Sequence, residues 1–399
     1  DILWMGAACG NDACICNVIR NNLKYNNVEI LENAYGISLR QLMLFGMKTY
    51  GIEDGIEAAR AAITVMLFKL EGQLILAHPE YEMGNRLMLD RLDELQDVGV
   101  DRKRFPTVDD ERPYALSDEE TVIMRKLHRQ FVTGQRLHKH VRFLYDKGGM
   151  YNVYNGNLLY HGCVPLDEKG NFRKVKIGSK QYSGKELYDV LEYYARKGYY
   201  EQDNREEHEY GKDIMWYIWS NENSPVYGKE KMATFERYFI ADKEVQIERK
   251  DHYYRLIERE DVVNNILKEF GVDIEKGHII NGHMPVHVKE GESPVKCNGK
   301  VMIIDGGFSK AYRGTTGIAG YTLIYNSRGL RLVSHETFTS TEDVIEKEID
   351  VHSDTVIREV SAQRERVIDT ETGRQLKEQI SDLEKLLHAY RTGQILEKE

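Results

Sequence analysis

Three short stretches carry residues whose types and positions suit chemistry on a bound ion or a phosphate. The run "LLYHGC" places His161 directly after an apolar, strand-like segment and before Gly162. "IINGHMP" places His283 after a second such segment, preceded by Asn281 and Gly282. "VMIIDGGFSKAY" ends a third segment in Asp305, followed by two glycines and, further on, Lys310. Imidazole and carboxylate groups at strand ends are metal-ligand chemistry. In α/β sheets ligands collect in the crevice at the carboxyl ends of strands, so the three can converge. Taken singly, each has a plainer reading. A histidine after a strand is ordinarily held by hydrogen bonds alone, and Asp-Gly-Gly is first of all a turn. Two imidazoles and one carboxylate also fall short of a binuclear centre, which needs more ligands than this region offers.

The elements that must position these residues follow from periodicity. Residues 1–150 read as mostly helical. "SLRQLMLFGMKTYG" and "GIEAARAAITVMLFKLEGQLI" carry apolar residues at helical spacing, the second on Ile63, Met66, Leu67 and Leu70. "SDEETVIMRKLHRQFVTGQRLHKHVRFLY" predicts one long helix opened by a capping box, Ser117 with Glu120, and keeping one apolar face to Leu144. From "YNVYNGNLLYHGCVPLD" the pattern changes to an Asn-Gly turn between short strands. Residues 166–276 are polar and Tyr-rich, with helices predicted at "KELYDVLEYYARKGY" and "YYRLIEREDVVNNILKEFG", and strands dominate from 277 to 335. In the tail, Leu376, Ile380, Leu383, Leu387 and Tyr390 share a helix face, which predicts a docking helix or a partner helix in a homo-oligomer. Trp216 and Trp219, three apart, read as packing on one helical face.

Composition narrows the function classes. The 399 residues are 41% hydrophobic and 30% charged, a globular profile, with a formal charge of −10. That charge argues against nucleic-acid or anionic-membrane binding, although not against a local basic pocket for a phosphorylated metabolite. No apolar run approaches the ~20 residues that span a bilayer, and no signal-peptide pattern is present, so a cytoplasmic protein is expected. The five cysteines are scattered; Cys14 and Cys16 form a C-x-C that no second pair completes, which predicts buried reduced thiols.

The longer segments add a specific resemblance. "YNGNLLYHGCVP", "WYIWSNENSPVYGKEKMATFERYFIADK" and "IINGHMPVHVKEGESPVKCNGKVMIIDGGFSKAYRGTTGIAGYTLIYNSRGLRLVSHE" resemble class III fructose-1,6-bisphosphatase, a bacterial type built on the calcineurin-like metallophosphoesterase fold. "YGISLRQLMLFGMKTYG" and "LEGQLILAHPEYEMGNRLMLDRL" are similar to its helical part, so the likeness runs the whole length. The resemblance implies an α/β fold: a metallophosphoesterase β-sandwich flanked by helices, with large helical insertions and the N-terminal part of the core missing. Residues 1–150 would then hold a remnant of the core plus a helical insertion, and 151–165 with 277–340 the sheet core. Residues 166–276 would be an insertion or cap, and 341–399 a C-terminal extension.

The resemblance also implies a mechanism and a site. Two divalent ions, expected to be manganese, would activate a water to attack the 1-phosphate of fructose 1,6-bisphosphate. His161 matches the family's strand-end histidine and His283 its final Gly-His, so both would be metal ligands; Pro285 stands where the family often has a further histidine. Asp305 would orient a ligand or loop from behind, and Lys229, Arg237 and Lys310 are candidates for the second phosphate. The departures are as informative. The chain has no G-D-x-x-D-R-G and no G-N-H, and its one D-x-H, Asp350-Val351-His352, falls after the final Gly-His. Asp1 aligns with the acidic residue that follows Gly-Asn-His, and the chain opens on apolar Ile2, Leu3, Trp4 and Met5. These features predict a truncated member, inactive alone, without a catalytic histidine of its own. Two other readings stay open: a phosphoesterase for another phosphoester, and a non-catalytic regulatory or scaffold homologue.

Overall fold

The computed structural model describes residues 2–307, 320–336, 341–346, 353–358, 360 and 363–395. It is a mixed α/β structure of two compact units, and the chain passes between them more than once. Asp1–Met150 and Cys163–Leu256 form the first; Tyr151–Gly162 and Ile257–Glu399 form the second. The crossing between them is the antiparallel hairpin of β1 (Tyr151–Tyr154) and β2 (Asn157–Tyr160), which belongs to the second unit. Residues 163–256 thus group with 1–150 in one unit.

The first unit is built from α1 (Ile2–Ala8), α2 (Asp12–Lys24), α3 (Arg40–Tyr50), α4 (Gly55–Ala77), α5 (Asp118–Thr133), α6 (Gln135–Lys147), α7 (Gly184–Tyr200), α8 (Arg205–Ser220), α9 (Thr234–Phe239) and α10 (Tyr253–Leu256). A small hairpin, β3 (Val175–Ile177) with β4 (Lys180–Tyr182), is added to them. One core joins the far ends of this sequence: Ile15, Ile63, Met66, Leu127, Phe131, Leu187, Ile214 and Trp216 are buried together. Trp216 packs as expected and donates its indole N–H to Glu71 Oε1 at 3.2 Å. The opening apolar residues are helical, with Leu3 buried and Ile2, Trp4 and Met5 packed at the core's edge. The capping box is formed, Ser117 Oγ accepting from Glu120 N–H while the Glu120 carboxylate accepts from Ser117 N–H. The single long helix predicted from Ser117 onward is instead two, broken at Gly134, whose backbone is extended (ψ 97°). All five cysteines are buried free thiols.

The second unit holds a five-stranded mixed sheet in the order β1-β2-β5-β7-β6, with β5 (Ile279–Asn281), β6 (Val295–Lys296) and β7 (Val301–Ile303). Within it β2, β5 and β7 run parallel. A three-stranded antiparallel sheet is formed by β8 (Gly320–Asn326), β9 (Gly329–His335) and β10 (Ser353–Arg358). The second predicted helix of the Tyr-rich region is split into α10 and α11 (Glu260–Glu269), one in each unit. The C-terminal helix Glu371–Arg391 is anchored at its start, where Glu371 N–H donates to Asn155 Oδ1 at 2.8 Å; its five-residue apolar face is exposed. Among the described residues no helix is long and apolar enough to cross a membrane.

Candidate functional site

The turn that starts β2 is tight because Asn155 and Gly156 both adopt positive φ (48° and 73°), the backbone an Asn-Gly hairpin turn requires. β2 then runs as Leu158, Leu159 and Tyr160, with Leu158 fully buried. Every residue of β5 and β7 is buried too, which is why these strands read as continuous apolar runs, as central parallel strands do. Register finishes the placement. Leu159 pairs with Ile280, and Ile280 pairs with Met302, so the three strands end flush. His161, His283 and Asp305 therefore leave the sheet at one carboxyl edge.

The loops beyond that edge are tied together. Gly282 N–H donates to His161 O at 2.9 Å, and Asn281 Nδ2 donates to Gly162 O at 3.0 Å. Ile304 N–H donates to Asn281 O at 2.8 Å, and Val286 N–H to Asp305 O at 3.0 Å. Sequence reading missed the linking role of Asn281, whose signal was its place directly before Gly-His. His161 Nε2 and His283 Nδ1 lie 2.9 Å apart, one ring donating to the other, with centroids 4.8 Å apart and planes at 64°. The His161 ring keeps an exposed edge, but desolvation by the surrounding protein lowers its pKa, and the nearby Asp305 carboxylate opposes that shift. A pKa below the ordinary imidazole value keeps the ring neutral at pH 7, with a lone pair to offer. The Asp305 carboxylate accepts from Gly307 N–H at 2.9 Å and so holds its own turn.

The donor set can be compared with what a cation needs. Two ligand atoms about 2.1 Å from one ion and at right angles stand about 3.0 Å apart. The 2.9 Å between the two imidazole nitrogens matches that spacing, so the distance suits adjacent positions on one divalent ion once the proton shared between the rings is displaced. Among the described residues no group of three or more His, Cys, Asp or Glu side chains is placed to hold a metal. The fit is thus to part of a coordination sphere.

The cations proposed for phosphate divide differently. Lys229 and Arg237 come together in the first unit, on one carboxylate: Glu248 Oε2 lies 2.7 Å from Lys229 Nζ and 3.2 Å from an Arg237 guanidinium nitrogen. Burial would raise the Glu248 pKa, but Lys229 and the N–H of Ala233 outweigh it and hold the carboxyl ionised. One carboxylate against two cations leaves a net positive charge there. Sequence reading missed Glu248, which nothing but its own type marks out. Lys310 lies outside the described residues, as do Asp1 and Asp350-Val351-His352.

Comparison with known proteins adds a family to this geometry. A family model described as Firmicute fructose-1,6-bisphosphatase matches residues 1–392. Fructose-1,6-bisphosphatase class 3 1 of Clostridium beijerinckii is 49% identical over 99% of this chain and 64% of its own length. The class 3 enzyme of Clostridium acetobutylicum is 48% identical and that of Bacteroides thetaiotaomicron 45%, each over 100% of this chain and 64% of the relative. The chain thus spans just under two thirds of the length of these relatives. No solved structure matches it significantly.

Proposed function

The chain belongs to the Firmicute fructose-1,6-bisphosphatase family, and from that premise we propose that a protein of its relatives' full length hydrolyses the 1-phosphate of fructose 1,6-bisphosphate. The products would be fructose 6-phosphate and phosphate. The observation that carries this reading is the imidazole pair at 2.9 Å on the flush ends of two parallel strands. The reading includes a calcineurin-like core and two divalent ions, with manganese the candidate because it accepts mixed imidazole and oxygen ligands. Bound ions of this kind would lower the pKa of water and balance charge on the phosphoryl oxygens.

The chain's own residues have simpler tasks. His161 and His283 would present their ring nitrogens, held in place by the hydrogen bonds that join their loops. Asp305 would fix the turn beside them through Gly307 N–H. Lys229 and Arg237 are proposed to hold phosphate in their own unit, Arg through paired N–H donors and Lys as a point charge; Lys310 remains a third candidate.

Phosphate release from fructose 1,6-bisphosphate in the presence of manganese tests the proposal. In a protein of full relative length, His161→Ala and His283→Ala are each expected to lower turnover about 100-fold or more, with thermal melting little changed. Unchanged turnover in either variant rejects the pair as the site. Faster release from a phosphopeptide or a dinucleoside polyphosphate would keep the site and replace the substrate. Among the described residues only these two imidazoles are brought together, so the 399-residue chain is expected to release phosphate far more slowly than a protein of full relative length, measured side by side.

A further inference from the structure

The first unit has a large cleft, about 1260 Å³, that the proposed hydrolysis does not use; its walls come largely from α5, α6, α7 and α8. Its charge is unusual for a chain of net charge −10. Lys139 and Arg142 line it from α6, and Lys212 lines it from α8. Among the described residues neither Lys139 nor Arg142 has a carboxylate partner. Of the two carboxylates in the wall, Glu209 is engaged with Lys212 at 2.8 Å, and Asp146 accepts from Tyr200 Oη at 3.4 Å.

Imidazoles add to this. His128, His138 and His208 line the same cleft, one each from α5, α6 and α8. His128 Nδ1 is 2.7 Å from Asp12 Oδ1, and His138 Nδ1 is 2.8 Å from Tyr199 Oη. Nε2 of His138 and Nδ1 of His208 are buried without a hydrogen-bond partner. In a neutral imidazole one ring nitrogen donates and the other accepts, and in a protonated ring both donate, so these two rings can supply donors to an anion. Phe143, Tyr199 and Tyr200 give the same cleft an apolar surface, with Phe143 61% exposed.

We propose that this cleft binds a small organic ligand bearing two or more phosphate groups. Lys139 and Arg142 give α6 two cations without carboxylate partners, and Lys212 on α8 is shared with Glu209, so a ligand with two or more charged groups can engage more of these cations at once than a single phosphate. The volume is that of a metabolite site, and the exposed rings would cover the ligand's organic part. The site lies wholly in the first unit, whereas the imidazole pair belongs to the second.

Titration calorimetry with inorganic pyrophosphate and inorganic phosphate tests the assignment. It is run on the His161→Ala/His283→Ala chain with a chelator present, so that neither metal nor the imidazole pair contributes. Pyrophosphate is expected to bind at least about tenfold tighter than phosphate, and added salt should weaken it. Lys139→Ala and Arg142→Ala, both at exposed positions, should each weaken it about tenfold, and Arg142→Lys, which keeps the charge, should restore most of the loss. Lys385→Ala, an equal loss of charge on the C-terminal helix, should leave it unchanged. Binding no tighter than that of phosphate, an equal loss with Lys385→Ala, or indifference to both α6 alanine variants overturns the proposal.

Discussion

His283 adopts the left-handed backbone region at φ 65°, where a residue with a Cβ is disfavoured by roughly 1–2 kcal/mol. A glycine stands just before it, yet that glycine does not take the positive φ. Nor does crowding demand a glycine at 282: a Cβ there would lie 3.5 Å from Asp305 Cβ and 3.8 Å from His161 O, ordinary contact distances, so the strained backbone of this turn is that of His283. Strain of this kind persists where surrounding contacts hold a functional side chain in place. The strand-end histidines were legible because apolar runs ended on them. Their 2.9 Å contact was not, because it depends on register between strands about 120 residues apart. Lys69 shows the opposite limit. The apolar spacing of α4 gave no reason to bury an ammonium, yet Lys69 and Glu120 are fully buried and 2.7 Å apart. Lys69 Nζ also donates to Thr107 O at 2.6 Å, and Glu120 doubles as the capping-box residue of α5. Desolvation lowers the Lys69 pKa, and Glu120 resists that shift. Lys69→Met should therefore cost about 3–5 kcal/mol by leaving a buried carboxylate uncompensated, as read by urea denaturation. Adding Glu120→Leu should recover much of that loss. If the single variant costs under about 1 kcal/mol, the pair does not hold this core.

At the scale of elements, α7 and α8 are fixed by two glycines that propensity alone would count as faults. A Cβ on Gly198 would stand 2.5 Å from the Gly211 carbonyl carbon, and one on Gly211 would stand 2.3 Å from Gly198 N. The two backbones touch there, which brings the Ile214–Ile218 stretch of α8 into the core. Gly211→Ala should gain up to about 1 kcal/mol in helix propensity and lose more to the clash, for a net destabilisation of about 1–3 kcal/mol. A melting temperature at or above that of the parent would show that the helices can separate without loss. The break at Gly134 is a related case. Leu127 and Phe131 before it and Leu137 and Val141 after it are all buried, so the apolar face continues through the break. Periodicity therefore predicted one helix where the backbone makes two.

At the scale of the whole molecule, the first segment of the first unit ends at Met150, near where the sequence pattern changes. The chain's return at Cys163 was not legible, because periodicity reports which face of an element is buried and never which other element covers it. Part of the cover for α1 comes from α8, which α7 backs in turn: Ile214, Met215, Trp216 and Ile218 share one buried cluster with Leu3, Ala7, Ile15 and Ile19. A discontinuous unit of this kind has consequences for folding. Residues 1–150 expressed alone would expose that apolar surface, and at about 25 cal/mol per Å² even a few hundred Å² exceeds the margin by which most domains are stable. The isolated segment is expected to keep partial helical circular dichroism while melting without a cooperative transition. Joining 1–150 to 163–256 through a short flexible linker, so that the hairpin of the second unit is bypassed, should restore a single sharp transition. A cooperative melt from 1–150 alone would mean that the sequence boundary marks an independent domain, and that α7 and α8 are accessories to it.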